Sequence, residues 1–327
     1  MKKLFIVFLL TLTAFGLFIL LGNKIARKEK IDNLQKVSVR LKWVHQAQFA
    51  GFYVAKEKGF YRDQGLDVTL NPAGPDISPI QMVLSGIDDF GIIGSDQIML
   101  AREKGVPIVA ISVIYKKSPV ALASLKGKNI TSPGDLEGKT VAVVYGKDEE
   151  SIYRAMLEKS GIDRNKIHEV PLTFDLSQIT SDKVDSQIVY EINEPVLLEQ
   201  KGYQVDLIKP RDYGVNFYSD TLFTTEENIR SKPDVVRKLV MATIAGWNEA
   251  LNYPEETTNI VLKFNPVLDY EHQLKFLKLS SPLIKDDGEI GRFDEVILRE
   301  MGHLLIEQGV MKKEVDLEKG FSNKFLN

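Results

Sequence analysis

An indole and a carboxylate are the side chains of this sequence best suited to holding a small molecule. Trp43 follows a predicted strand, and Glu194 follows another in the segment 190–195, YEINEP. A flat indole face suits a flat heterocycle, and a carboxylate accepts paired, charge-assisted hydrogen bonds from a ring nitrogen and an exocyclic amine. The alternatives are that Trp43 only packs in the core and that Glu194 only complements a helix dipole, which is worth a few tenths of a kcal/mol to about 1 kcal/mol.

Further polar residues lie next to these two in the sequence. Tyr190 and Asn193 precede Glu194 in the same segment, and we expect them in the same site. His45 either donates to a ligand and changes charge near neutral pH, or is an exposed loop residue. Ser95 and Asp96 begin a predicted helix after an apolar strand, so we expect one of them to be the N-cap. Such a helix start also offers free backbone N–H groups to a ligand.

Two more segments supply candidate binding residues. Tyr218 and Asp220 belong to a stretch of alternating aromatic and polar residues, which either lines a cleft or forms an exposed strand. Tyr145 precedes a predicted helix whose first turn, 148–150, holds three acids. Each acid there opposes a bound anion by about 0.3–1 kcal/mol. The sequence therefore predicts a neutral or cationic ligand.

Signatures of catalysis and of metal binding are missing. The chain has no cysteine, no Gly-rich phosphate loop, no nucleophile elbow and no His-x-x-x-His pair. Its four histidines, His45, His168, His272 and His303, are too scattered to suggest a zinc site. We therefore expect no catalytic residue, no metal and no cofactor.

The composition is that of a globular protein without a nucleic-acid footprint. The 327 residues include 42 Lys and Arg against 45 Asp and Glu, a net charge of −3. A mildly acidic chain lacks the basic face that nucleic acid binding requires. With 44% hydrophobic residues and roughly 100–200 residues per domain, the chain has material for two lobes.

The N-terminus carries a membrane-directed signal within residues 1–30. Residues 4–21 form an uncharged apolar run behind Lys2 and Lys3. Its length lies between that of the apolar region of a secretory signal peptide, about 7–15 residues, and that of a transmembrane helix, about 20 residues. An uncleaved signal-anchor is preferred over a cleaved signal peptide, because no small-x-small site follows cleanly. The basic residues in 24–30 conflict with export, since positive charges favour the cytoplasmic side.

The rest of the chain alternates short apolar runs with amphipathic helices, which predicts a parallel α/β architecture. Helices are expected at Phe49–Lys58 and, after about residue 221, at Pro233–Tyr253, Glu255–Phe264, Tyr270–Leu279 and Phe293–Gln308. We predict two α/β lobes joined by two crossing segments. The first lobe comprises 37–118 and 221–327, and the second comprises 119–220.

Residues 39–70, VRLKWVHQAQFAGFYVAKEKGFYRDQGLDVTL, carry a resemblance to a known family. Together with Gly94-Ser95-Asp96, EGKTV at 137–141 and YEINEP at 190–195, they resemble the thiamine-precursor-binding branch of the periplasmic substrate-binding proteins of ABC transporters. The branch also includes a fungal thiamine-pyrimidine synthase. The resemblance implies a type II periplasmic-binding-protein fold, a ligand-stacking aromatic at Trp43 and a pyrimidine-binding carboxylate at Glu194. At the synthase's cofactor-binding lysine and its histidine, this chain holds Ile93 and Gln97.

From these features we expect an extracytoplasmic solute-binding protein of an ABC importer. It would bind a small planar heterocycle such as a thiamine pyrimidine precursor in the interlobe cleft. The expected partners are the permease subunits and, through the N-terminal helix, the membrane, and we expect a monomer. The alternative is a membrane-anchored ligand sensor that acts on a signalling partner, and a pyrimidine-precursor synthase is the weakest alternative.

Overall fold

The computed structural model describes residues 34–286 and 289–326, which fold around two five-stranded sheets. The predicted N-terminal apolar helix falls outside the described residues. Among the helices that the structure describes, none has the length and apolar character needed to cross a membrane.

The first sheet has the strand order β2-β1-β3-β10-β4. Its strands are β1 Gln35–Arg40, β2 Leu66–Asn71, β3 Phe90–Ile93, β4 Ile108–Tyr115 and β10 Ser219–Thr225. The second sheet has the order β7-β6-β8-β5-β9. Its strands are β5 Val120–Leu125, β6 Thr140–Val143, β7 His168–Pro171, β8 Ser186–Tyr190 and β9 Val205–Ile208. We call each sheet with the helices packed on it the first and the second lobe.

Helices α1–α4 lie between strands of the first sheet and α5–α7 between strands of the second. They are α1 Ala50–Glu57, α2 Phe60–Asp63, α3 Pro79–Leu84, α4 Ser95–Glu103, α5 Asp148–Lys159, α6 Ser177–Thr180 and α7 Glu194–Gln200. The remainder of the chain is helical, as predicted. These helices are α8 Glu226–Ser231, α9 Pro233–Asn252, α10 Pro254–Phe264, α11 Tyr270–Ile284, α12 Glu295–Glu307 and α13 Leu317–Gly320. Short 3-10 turns occupy Ala47–Phe49, Pro133–Leu136, Arg164–Lys166 and Pro210–Tyr213.

The α/β character of both lobes is confirmed, but the predicted parallel architecture is correct only in part, because each sheet combines parallel and antiparallel pairs. Strand β10 runs antiparallel to β3 and β4, and β5 runs antiparallel to β8 and β9. The chain enters the second sheet through β5 after leaving β4, and it returns to the first through β10. Strand β5 was not predicted, and the stretch with Tyr218 and Asp220 at the start of β10 was expected either to line a cleft or to form an exposed strand. Each of the two strands is an almost entirely buried run without the polar–apolar alternation that identifies a strand.

A close helix contact fixes the frame of the first lobe. Helices α1 and α9 meet at Gly51 and Trp247, where a Cβ added to Gly51 would lie 2.2 Å from the indole ring. Trp247 is fully buried. Residues 41–49, which contain Trp43 and the 3-10 turn Ala47–Phe49, connect β1 to α1, so this contact holds the C-terminal end of that connection.

Candidate ligand-binding site

A cavity of about 210 Å³ lies between the two lobes, at the carboxyl ends of β1, β6, β7 and β8. Parallel strands of open α/β sheets commonly present ligand-binding residues at this end. The first lobe contributes one aromatic and three polar side chains, Lys42, Trp43, Gln46 and Gln48. The second lobe contributes an apolar wall of Val144, Leu172, Leu176, Ile188, Val189 and Leu197. It also contributes Glu149, Phe174, Asp175, Tyr190, Asn193 and Glu194.

Trp43 is half-buried and faces this cavity. Its ring lies against that of Phe174, with centroids 5.1 Å apart and planes inclined by 40°. The Lys147 Nζ atom lies 5.2 Å from the centroid of the indole ring. Trp43 is therefore held at the lobe boundary, with partners from the second lobe, and is not sequestered in the core.

Glu194 is the first residue of α7, and its carboxylate also faces the cavity. The Tyr190 backbone N–H donates to Oε2 at 2.8 Å, and the Asn193 side-chain amide donates to Oε1 at 2.9 Å. Burial raises the pKa of Glu194, although these hydrogen bonds oppose the shift. Each carboxylate oxygen has a second lone pair, so the group is oriented and still able to accept from a ligand.

Lys42 occupies the floor of the cavity, and the sequence analysis did not single it out. Its Nζ atom donates to Asp148 Oδ2 at 2.5 Å and to the Tyr190 hydroxyl at 2.6 Å, and it lies 3.7 Å from Asp220 Oδ1. Burial disfavours its charge, but Asp148 and the neighbouring groups hold the pKa of Lys42 well above its ordinary value. The only sequence signal was its place beside Trp43 behind β1.

Asp220 lies behind Lys42 and is not among the residues that line the cavity. Gln48 Nε2 donates to its Oδ2 atom at 2.7 Å. Burial raises the pKa of Asp220, while Lys42 acts in the opposite direction. Its backbone is in the left-handed region, with φ of 42°. The carboxylate thus supports Lys42 and Gln48, which line the cavity themselves.

The three acids at the start of α5 lie in different surroundings. Asp148 pairs with Lys42, and Glu150 accepts the Gly146 N–H at 2.8 Å. Glu149 alone lines the cavity, and its buried Oε2 atom has no hydrogen-bond partner among the described residues. Burial, with Asp148 nearby, raises the pKa of Glu149 to about 8. Near neutral pH its carboxyl group is therefore mostly protonated and available as a donor.

Ser95 and Asp96 are buried next to the cavity and do not line it. The expectation that one of them caps the helix is wrong, because α4 begins at Ser95 with Gly94 as its N-cap. Ser95 Oγ lies 2.6 Å from Thr221 Oγ1, which ties α4 to β10. Burial and the nearby Asp148 raise the pKa of Asp96 to about 6.

The other predicted residues have partners away from the cavity. The His45 Nδ1 atom lies 3.0 Å from the Tyr53 hydroxyl, and burial lowers the pKa of His45. Tyr145 is exposed, and its hydroxyl donates to Glu169 at 3.4 Å. Tyr218 is a core residue whose hydroxyl accepts the Asp294 N–H at 3.0 Å. We leave His45, Ser95, Asp96, Tyr145 and Tyr218 out of the proposed site.

Sequence reasoning also missed Phe174, Gln46 and Gln48. Phe174 lies in a loop after β7, and nothing in the local sequence indicates that its ring meets Trp43. Gln46 and Gln48 are short-range neighbours of Trp43, but an amide in a loop carries no specific signal. Within residues 34–286 and 289–326, no group of three or more His, Asp or Glu side chains is arranged to hold a metal ion.

Comparison with known proteins gives relatives of this chain in two functional classes. The riboflavin-binding protein RibY of Chloroflexus aurantiacus is 26% identical over 307 residues, covering 90% of this chain and 86% of that protein. The formylaminopyrimidine-binding protein of Halalkalibacterium halodurans is 29% identical over 235 residues, 71% of each chain. A 4-amino-5-hydroxymethyl-2-methylpyrimidine phosphate synthase of Legionella pneumophila is 24% identical, covering 89% of this chain and 92% of that enzyme.

Solved structures show the fold. The periplasmic sulfonate-binding protein SsuA of a putative sulfonate ABC transporter from Methylobacillus flagellatus superposes with a TM-score of 0.65 at 16% identity. The match covers 90% of this chain and 93% of that one. The two sheets therefore form the α/β fold of periplasmic binding proteins, consistent with the type II fold predicted above.

The resemblance stated from the sequence is confirmed by a family model. The model described as NMT1/THI5 like matches residues 46–257, which include α1, the whole second sheet and all of α9. That range contains Phe174, Tyr190 and Glu194, while Lys42 and Trp43 lie just before it. The chain belongs to the NMT1/THI5-like family.

Proposed function

We propose that this protein is an extracytoplasmic solute-binding protein that captures a small, planar nitrogen heterocycle and delivers it to an ABC permease. The observation that carries the proposal is that Trp43 and Glu194 line the same interlobe cavity. An indole face and an oriented carboxylate together match a flat ring that bears N–H donors.

The charges of the lining support a ligand rich in hydrogen-bond donors. Among the described lining residues Lys42 is the only cation, and it already contacts Asp148 and Tyr190. Glu149 and Glu194 add carboxyl groups with remaining hydrogen-bonding capacity. An anionic ligand such as a sulfonate would meet the Glu194 carboxylate, and the one cation among the described lining residues is already paired, whereas an aminopyrimidine would donate to Glu194.

The size of the cavity supports a single ring. Its volume is about 210 Å³, below the roughly 300–1,000 Å³ typical of pockets for drug-sized ligands. The formylaminopyrimidine named for one relative has one ring, whereas the riboflavin named for another has three fused rings and a side chain. We therefore propose a substituted aminopyrimidine, of the kind used as a thiamine precursor, as the ligand class.

The proposal contains no catalytic step. At the position where the resemblance places the synthase's cofactor-binding lysine, this chain has Ile93, the last residue of β3. A hydrocarbon side chain there cannot form a Schiff base. The names of the two binding proteins and of the ABC-transporter SsuA support transport. Export and membrane attachment through residues 4–21 remain part of the proposal.

Calorimetry with the purified protein tests the ligand class directly. We expect formylaminopyrimidine to bind at least tenfold more tightly than riboflavin, a difference of about 1.4 kcal/mol, and an alkanesulfonate to give no signal. Tighter binding of the sulfonate, or no binding of either heterocycle, would refute the proposal. Deletion of the gene should also impair growth on the pyrimidine precursor, and unchanged growth would contradict import.

A further inference from the structure

Phe174 has a backbone conformation that is unusual for an aromatic residue. It lies in the loop between β7 and α6, and its φ of 58° is in the left-handed region. Residues other than glycine, asparagine and aspartate seldom adopt this region, and such conformations concentrate at ligand clamps and switches. A phenylalanine keeps this conformation only where the surrounding structure holds it.

Hydrogen bonds on both sides fix the loop around this residue. The Thr173 N–H donates to Gln178 Oε1 at 2.9 Å, and the Ser177 N–H donates to Asp175 Oδ1 at 2.8 Å. Gln178 Nε2 in turn donates to the Pro171 carbonyl at 3.0 Å. The loop is therefore built to hold residue 174 in one orientation.

That orientation places the Phe174 ring against Trp43 of the opposite lobe, at a centroid distance of 5.1 Å. Both rings line the cavity. Lys147 Nζ lies 5.2 Å from one centroid and 5.5 Å from the other, so one cation contacts both rings. Phe174 is 43% exposed, so its contact with Trp43 lies at the mouth of the cavity.

We propose that Phe174 is a specificity-determining residue that forms, with Trp43, an aromatic clamp across the lobe boundary. The clamp admits a flat ring and excludes a puckered one. Carbon atoms in contact are about 3.5–4.0 Å apart, so a flat ring between two aromatic faces needs about 7–8 Å between them. The ring centroids now lie 5.1 Å apart with the ring planes inclined by 40°. A flat ligand therefore requires the rings to separate by about 2–3 Å and to turn towards parallel, and a saturated ring would require a larger separation.

The proposal of selectivity rests on the proposed function, whereas the contact between the two rings can be tested without a ligand. The chain has two tryptophans, and Trp247 is fully buried. Quenching of fluorescence by acrylamide therefore reports mainly on Trp43. Phe174→Asn removes the ring and retains a residue that tolerates the left-handed region. Tyr253→Asn is the matched control, because Tyr253 is an exposed ring beside Lys58, outside the residues that line the cavity.

We expect Phe174→Asn to increase the quenching constant about twofold and Tyr253→Asn to leave it unchanged. With formylaminopyrimidine, Phe174→Asn should accelerate release about 3- to 10-fold, the equivalent of losing one aromatic contact. It should also reduce the ratio of the affinity for this ligand to the affinity for its ring-saturated analogue. Phe174→Tyr, which keeps an aromatic ring, should show only a small part of each effect seen in Phe174→Asn.

Unchanged quenching in Phe174→Asn would overturn the clamp whether or not any ligand binds. Increased quenching with unchanged release and unchanged preference would overturn the specificity role. If the wild-type protein binds neither heterocycle, the proposed function fails, and the quenching result alone then decides whether the two rings form the clamp.

Discussion

The ammonium group of Lys42 lies 2.5 Å from the Oδ2 atom of Asp148, in an ion pair that joins the two lobes beneath the cavity. Lys42 follows β1 of the first sheet, and Asp148 is the first residue of α5 in the second lobe. Both side chains are at least nine-tenths buried. The pair therefore couples the geometry of the ligand-binding surface to the contact between the lobes.

Breaking this pair on one side should destabilise the protein strongly. Lys42→Met leaves Asp148 and Asp220 without their cation, and we expect a loss of about 3–5 kcal/mol in the free energy of unfolding. Asp148→Asn should cost less, because Lys42 retains Asp220 and Tyr190. Urea unfolding of both variants and of the double variant measures the coupling. Strictly additive losses would contradict the ion pair.

Replacement of Glu194 should weaken ligand binding. Glu194→Ala removes a charge-assisted acceptor, which typically contributes about 1.5–3 kcal/mol, so affinity for formylaminopyrimidine should fall roughly 10- to 150-fold. Glu194→Gln keeps one acceptor oxygen and should lose less. Calorimetry measures both, with Glu199→Gln on the exposed side of α7 as the control. Equal affinity for wild type and Glu194→Ala would remove this residue from the site.

The free energy of unfolding should decrease as the pH rises, because of Glu149. Its pKa is about 8 in the folded protein and 4.5 in its ordinary state. Between these values the folded state binds more protons than the unfolded chain, so the free energy of unfolding falls as pH rises and levels off above about 8.

Glu149→Gln, which stays neutral, should therefore show a smaller loss of stability between pH of about 5 and about 8. Urea titrations at the two pH values provide the comparison, and Glu158→Gln, an exposed acid on the same helix, is the control. A variant whose pH dependence matched the wild type would show that Glu149 is not buried as described.

Replacement of two glycines by alanine should change the stability of the protein in opposite directions. A Cβ at Gly51 would lie 2.2 Å from the Trp247 ring, so Gly51→Ala must separate α1 from α9 and should cost about 1–3 kcal/mol. At Gly302 in α12 the nearest atom to an added Cβ is 3.7 Å away, and Ala there should stabilise by about 0.5–1 kcal/mol. Thermal unfolding distinguishes them, and a neutral Gly51→Ala would show that the two helices do not meet at this point.

The sequence by itself determined the α/β class, the C-terminal helices and four of the residues at the cavity, Trp43, Tyr190, Asn193 and Glu194. Trp43 and Glu194 were identifiable because each follows an apolar strand directly, and the carboxyl end of a strand is a local property of the chain. The helices after residue 233 were predictable for a similar reason, since their apolar periodicity lies within one element.

Only the tertiary structure decided which distant residues meet. Lys42 and Asp148 are separated by 106 positions, and the contact of Trp43 with Phe174 also crosses the lobe boundary. Strands β5 and β10 are buried among neighbours from other parts of the chain, which removes the alternation that marks a strand. Their placement, and the ion pair and ring pair at the cavity, depend on how two sheets pack together, and no local pattern encodes that packing.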